Sequence, residues 1–226
     1  MLYPEYYAKH GADRNDLLGN AEVVFQTFAI DIANIAALRR LDLDRSSAKV
    51  LDVGCGGGTS LLQFIRLGFD AGNLSGVDTS AERIEQARHL LPAVELRVES
   101  ADHLAYPDGT FDLVFESTML GTLSSDVLLK GIAREMIRVT RRGGYVMLAD
   151  WRYSRRGSGV ETAMSKKRIA ELFDVGRSTS VVARHRGALV PPVGRRLSRL
   201  LPSLYFLVQA LVPPAVGQMT TVLRKS

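Results

Sequence analysis

Apolar residues along this chain fall into two kinds of stretch. In the first they crowd into four to six neighbours, at Lys49–Val53, Leu74–Val77, Val94–Val98, Phe111–Glu116 and Tyr145–Ala149. Such runs are too short for helices and predict buried strands. In the second they recur every three or four positions. Ala21–Leu41 does so through Val24, Phe25, Phe28, Ile32, Ile35 and Ala36. Thr59–Ile65, Ala81–Leu90, Asp126–Thr140 and Ser165–Phe173 predict further helices, and Thr179–His185 and Met219–Arg224 two further strands. Strand and helix alternate from Val50 onward, which implies an α/β, doubly wound sheet, mostly parallel, with helices on both faces. Ligands of such sheets lie beyond the carboxyl ends of the strands. Asp52, Asp78, Asp102, Glu116 and Asp150 all fall there.

The first strand runs straight into Gly54-Cys55-Gly56-Gly57-Gly58-Thr59-Ser60. Glycines here let the backbone turn sharply and approach a ligand without Cβ atoms in the way. Thr59 or Ser60 is the expected N-cap of the helix that follows. Strand, glycine turn and helix N-terminus form a nucleotide-binding corner. The glycine spacing alone is weak: the dinucleotide fingerprint wants a third glycine where Thr59 stands. Asp52 discriminates better. A carboxylate at that strand end repels a pyrophosphate and suits a ligand carrying an ammonium and a sulfonium.

Asp52-Val53-Gly54-Cys55-Gly56-Gly57-Gly58 resembles the first motif of the class I methyltransferases that use S-adenosylmethionine (SAM), and two more matches follow in order. Gly76-Val77-Asp78-Thr79-Ser80 resembles the motif whose acidic residue receives both ribose hydroxyls. Ser100-Ala101-Asp102-His103-Leu104, with Pro107 to Phe115, resembles the third, whose aspartate meets the adenine amino group. The resemblance covers roughly residues 48–150. It implies a Rossmann-like, seven-stranded sheet with the last strand antiparallel and a helical amino-terminal cap. It also implies SAM as cofactor, held by Asp52, Gly54, Cys55, Gly56, Gly58, Asp78, Thr79, Ala101, Asp102, His103 and Glu116. One domain is expected over 1–226, divided into a cap (1–47), a Rossmann-like core (48–185) and an insertion (186–218). In the cap, Tyr6, Tyr7 and Arg14 are candidate site-lining residues.

Composition adds limits. The single Cys55 excludes an internal disulfide, and no Cys/His cluster has metal spacing, so no metal is expected. No secretory signal or apolar run of spanning length stands out, and a cytoplasmic protein is expected. Net charge is +5, with all 24 acidic residues at or before Asp174, so the first 174 residues sum to −3 and the rest to +8. Such asymmetry suggests an acidic partner for the carboxy-terminal part, or a solvated basic face. Nucleic acid is not expected, because no aromatic residues interleave the basic ones.

The long connection between the last two strands stands apart from the resemblance. It holds Pro191-Pro192, then Arg195-Arg196-Leu197-Ser198-Arg199, then a nearly all-apolar run from Leu200 to Val212 closed by Pro213-Pro214. Hairpin connections usually have two to five residues. Three readings stand: an interfacial helix with arginines on the anionic headgroups of the inner membrane face, an acceptor lid or dimer contact, or plain core packing. Pro202 argues against one continuous helix.

Methyl transfer from a sulfonium is a displacement at carbon in which positioning supplies much of the acceleration. A base is needed only where the acceptor loses a proton. The candidates are Glu116, after the fourth strand, and His10, in the cap. The implied activity is methylation of a small or lipid-linked acceptor, with a sugar or glycan hydroxyl favoured and a lipophilic quinone or other small metabolite as the alternative. A nicotinamide dehydrogenase and a SAM-binding module without turnover are the rival classes. Asp52 and Thr59 count against the first.

Overall fold

The structure is a computed structural model describing residues 17–154 and 161–226. Tyr6, Tyr7, His10 and Arg14 therefore lie outside the described residues, with the rest of the cap before residue 17. The apolar runs become strands β1 (Val50–Val53), β2 (Leu74–Asp78), β3 (Glu95–Val98), β4 (Phe111–Ser117), β5 (Thr140–Trp151), β6 (Thr179–Arg186) and β7 (Gln218–Lys225). They join in the order β3-β2-β1-β4-β5-β7-β6, with β7 antiparallel to both its neighbours. β1 is central, and all four of its residues are buried, as a strand covered on both faces requires.

Periodic segments become α1 (Ala21–Leu38), α2 (Thr59–Arg66), α3 (Ala81–Leu90), α4 (Asp126–Val139) and α5 (Lys166–Leu172). One face of the sheet packs Leu51, Val53 and Val114 with Leu129, Ala133 and Met136 of α4. The other packs Val50, Leu113 and Met147 with Leu61, Phe64 and Ile84 of α2 and α3. Ser80, Ser125 and Ser165 cap α3, α4 and α5 by receiving backbone N–H groups, each worth about 1 kcal/mol.

Three expectations need correction. α2 is capped by Gly58 in the left-handed conformation (φ 85°), not by Thr59 or Ser60. β5 begins at Thr140 rather than Tyr145. Thr140 pairs with Phe111, and a register shift absorbs the glycine pair Gly143-Gly144, so the residues before Tyr145 form an irregular strand. Third, a stretch of spanning length does exist: α1 has 18 residues and a mean hydropathy of 1.4. It meets that test by length and composition only. In the fold α1 lies against β6 and β7, and its buried Asn34 receives the Thr220 hydroxyl at 2.8 Å.

The connection between β6 and β7 forms two helices, α6 (Pro191–Leu200) and α7 (Tyr205–Leu211), separated by a 3-10 turn at Pro202–Leu204. Pro202 ends the helical run, as its missing N–H requires. Ala188, Leu189, Tyr205 and Val216 pack with Ala29 of α1 into a third core cluster, which also takes in Trp151. Trp151 thus packs against this connection.

Candidate functional site

The carboxyl edge of β1, β2, β4 and β5 gathers four acidic side chains. Asp52 sits in β1 between Gly76 of β2 and Phe115 of β4. It is 1% exposed, and its Oδ2 has no hydrogen-bond partner among the described residues. Burial, then repulsion from Asp78, pushes its carboxyl up to about 8, against an opposing pull from Arg83. A buried acid without a partner costs several kcal/mol when ionised. The arrangement calls for a cation.

Beyond β1 the chain doubles back onto β2, with the Gly54 and Cys55 N–H groups donating to the Val77 carbonyl at 2.8 and 3.0 Å. Gly54, Gly56 and Gly58 all have positive φ, a conformation that costs other residues about 1–2 kcal/mol each. Space is short as well: a Cβ on Gly54 would lie 2.6 Å from Met119, and one on Gly56 would strike the Arg83 guanidinium. Asp78 locks this loop. One carboxyl oxygen receives the Gly56 N–H and the other the Ser80 N–H, both at 2.9 Å, and Arg83 stands 4.0 Å away. The glycine loop and the N-terminus of α3 are thus tied to one carboxylate.

Glu116 and Asp150 form a second acidic pair on β4 and β5. Oε2 of Glu116 receives the Met119 and Leu120 N–H groups at 3.2 and 3.4 Å, while Oε1 has no partner among the described residues. Asp150 receives the Gly121 N–H at 2.7 Å and the Trp151 N–H at 2.6 Å. The turn that delivers these N–H groups is strained: Thr118, β-branched, has φ 59°, a conformation worth about 1–3 kcal/mol. Burial, reinforced by Asp150, drives the Glu116 carboxyl well above its usual range. Burial raises Asp150 to about 7, against the pull of its two N–H donors.

The other expected site residues divide. Cys55 is buried beside the glycine loop, and burial followed by repulsion from Asp52 and Asp78 drives its thiol upward. It packs with Leu61 and Leu74 in the core. Thr79 follows Asp78 at the edge of β2. Ala101 packs partly buried against the core, while Asp102 and His103 are exposed in the loop after β3. Asp102 receives the Ser100 hydroxyl, and among the described residues no hydrogen bond joins it to Asp52 or Asp78. Sequence reasoning assigned no role to Arg83, Met119 or Gln218. Gln218 is buried, donates to the Ala149 carbonyl and has no partner for its Oε1 among the described residues. Arg83 reaches the edge from α3, Met119 from the turn after β4 and Gln218 from the antiparallel strand β7, encounters that no local motif encodes.

The sequence profile of the methyltransferase domain family matches residues 50–144, the span from β1 into β5. A 2-methyl-6-phytyl-1,4-hydroquinone methyltransferase of Synechocystis is 36% identical over 49% of this chain and 34% of its own length. A phosphatidylethanolamine N-methyltransferase of Cereibacter sphaeroides is 32% identical over 52% of this chain and 59% of its own. The chain therefore spans only about a third to three-fifths of the length of these curated relatives. Among solved structures, a putative methyltransferase from Haloferax volcanii, in complex with its Trm112 activator, superposes with a TM-score of 0.66 at 18% identity. That superposition covers 98% of this chain and 97% of the other, a likeness of fold.

Proposed function

We infer, from the premise that this chain belongs through residues 50–144 to the class I SAM-dependent methyltransferases, that it transfers a methyl group from SAM to a lipophilic acceptor. The observation that carries the cofactor assignment is the buried oxygen of Asp52, without a partner among the described residues, beside a glycine loop. A pyrophosphate placed there would meet an uncompensated carboxylate; the ammonium of a methionyl group would pair with it. Asp52 and the glycine loop would hold the methionine end, and Asp78 the ribose. Both Asp78 oxygens keep a lone pair after receiving Gly56 and Ser80. When bound, SAM supplies the activated methyl group.

The protein's own contribution is order and the exclusion of water. Of the two base candidates, His10 lies outside the described residues. Glu116 is fully buried and already receives two N–H groups, so this reading gives it the work of shaping the turn after β4. An acceptor that must lose a proton then passes it to solvent or to a residue outside the described set. For the acceptor class, the support is the two relatives named above, whose names specify a phytyl hydroquinone and a phospholipid. Neither name specifies a sugar, and the sugar reading is not carried forward.

Calorimetry with SAM and with NAD tests the cofactor: SAM binds and NAD does not, and tighter NAD would overturn the assignment. Asp78→Ala weakens SAM by about 1–3 kcal/mol through lost hydrogen bonds, while an unchanged affinity removes Asp78 from the site. For the acceptor, methyl-labelled SAM is incubated with an isoprenoid hydroquinone in detergent. Label extracted into organic solvent supports the reading, and label passing only to a water-soluble sugar overturns it.

A further inference from the structure

We propose that the connection between β6 and β7 is a peripheral docking face for bilayers of anionic phospholipid. The docking does not depend on the methyl-transfer reading. Its basis is how α6 and α7 divide their residues between core and solvent. α6 buries Gly194 and Ser198 and turns Arg195, Arg196 and Arg199 outward together. α7 is fastened by Tyr205, which is buried and whose hydroxyl receives the Leu189 N–H at 3.2 Å. What α7 and the flanking turn leave outside is apolar: Leu200, Leu201, Leu207 and Leu211 are 67%, 53%, 52% and 70% exposed. Between Leu200 and Pro214 only Ser203 and Gln209 are polar. Gln209 turns back to donate to the Gly187 carbonyl at 2.6 Å.

A contiguous apolar surface beside a basic cluster marks an interaction site. Three observations choose the occupant. Pro192, Arg195, Arg196, Arg199 and Leu200 line a surface hollow of about 430 Å³, so three arginine side chains border one space that also takes in the exposed Leu200. Among the described residues only Arg195 of the three has an acidic partner, Glu22 at 3.8 Å, and no carboxylate side chain follows Asp174. A second copy of the chain, meeting this face with the same face, would set arginines against arginines. Anionic headgroups match them. Finally, the end of α7 is prepared for an apolar medium: Arg186 donates to the Gln209 and Ala210 carbonyls, which would otherwise be orphaned outside water.

The face also has a fixed relation to the site. β7 opens with Gln218, which pairs with Trp151, the residue after Asp150. The docking hairpin therefore leaves the sheet at the same carboxyl edge as Asp52, Glu116 and Asp150. Seated on a bilayer, it brings that edge to the membrane surface.

Flotation of the full chain with extruded vesicles tests this. Vesicles of phosphatidylcholine mixed with phosphatidylglycerol carry the protein upward; phosphatidylcholine alone carries far less, and high salt releases it. The double substitution R196Q/R199Q lowers partition into the anionic vesicles by roughly 30-fold, about fivefold for each guanidinium. L207S/L211S lowers partition while leaving its salt dependence steep. All four positions are exposed, and SAM affinity measured by calorimetry stays at the wild-type value in both variants. A failure of docking is thereby separated from a failure of the cofactor site. Absence of wild-type flotation with anionic vesicles overturns the proposal, as does equal flotation of wild type and R196Q/R199Q. A dimer by light scattering that L207S/L211S dissolves, without vesicle binding by the wild type, reassigns the face to a second copy.

Discussion

Asp52→Asn weakens SAM about a hundredfold or more and, in the same protein, stabilises the SAM-free form. Both results come from one buried carboxyl. With its Oδ2 buried and unbonded among the described residues, and its pKa near 8, Asp52 is mostly neutral at pH 7 in the free protein. Pairing with an ammonium requires it to ionise, so binding releases close to one proton at pH 7, and log K rises by nearly one per pH unit up to about pH 8. Above that the ligand's own amine begins to lose its charge. The amide of the variant keeps the shape and hydrogen-bonding capacity but has no charge to offer. Losing one partner of a buried charge pair costs about 2–5 kcal/mol, hence the size of the effect. Calorimetry in two buffers of different ionisation enthalpy reads the released proton directly. If the wild type releases none and Asp52→Asn binds as tightly, Asp52 is not the ammonium's partner, and the central assignment falls.

Why this residue was legible in the sequence, and others were not, follows from how each is positioned. Asp52 lies two residues before Gly54 on a strand too short to be anything else. Its place at the carboxyl edge needs only the strand to exist. The same holds for Asp78, at the end of the run Leu74–Val77. Asp150 and Glu116 stand at the edge for equally local reasons, but their meaning is not local. They become a pair only because β4 and β5 are adjacent, and both draw N–H groups from the Met119–Gly121 turn. Arg83 and Gln218 depend on a helix and an antiparallel strand folding back to that edge. Amphipathic alternation cannot report such encounters, since it records which face a residue takes and not which element it meets. In the long connection, the arginines and the apolar run were plain in the sequence. Their separation onto an exposed surface was not, because it depends on Tyr205 and Ser198 turning inward.

Stability of the SAM-free protein falls as pH rises from about 5 to 8, opposite to the usual behaviour of acidic groups. The sign follows from three buried acids whose folded pKa values exceed their unfolded ones: Asp52 near 8, Asp150 near 7 and Glu116 well above 4.5. Below about pH 4 both folded and unfolded chains hold these protons, and the groups contribute nothing. Between there and the folded values the native state binds more protons than the unfolded one. Each group then subtracts up to about 1.4 kcal/mol per pH unit. Glu135 has its pKa lowered, chiefly by its hydrogen bond with Arg138, and contributes stability above its unfolded value that is lost in more acidic solution, outside this window. His185, lowered by burial and then by Arg40, acts the other way, but only as pH falls through its ordinary value near 6.5. Three groups therefore outweigh one across the window. Denaturation in guanidinium at about pH 5, 6, 7 and 8 measures the slope. Glu116→Gln and Asp150→Asn each flatten it by removing one titrating group, and saturating SAM flattens it further by giving the ionised Asp52 a partner. A wild-type slope of zero, or one that rises with pH, would mean that these carboxyls are charged in the folded chain, and the cation demand at this edge would disappear.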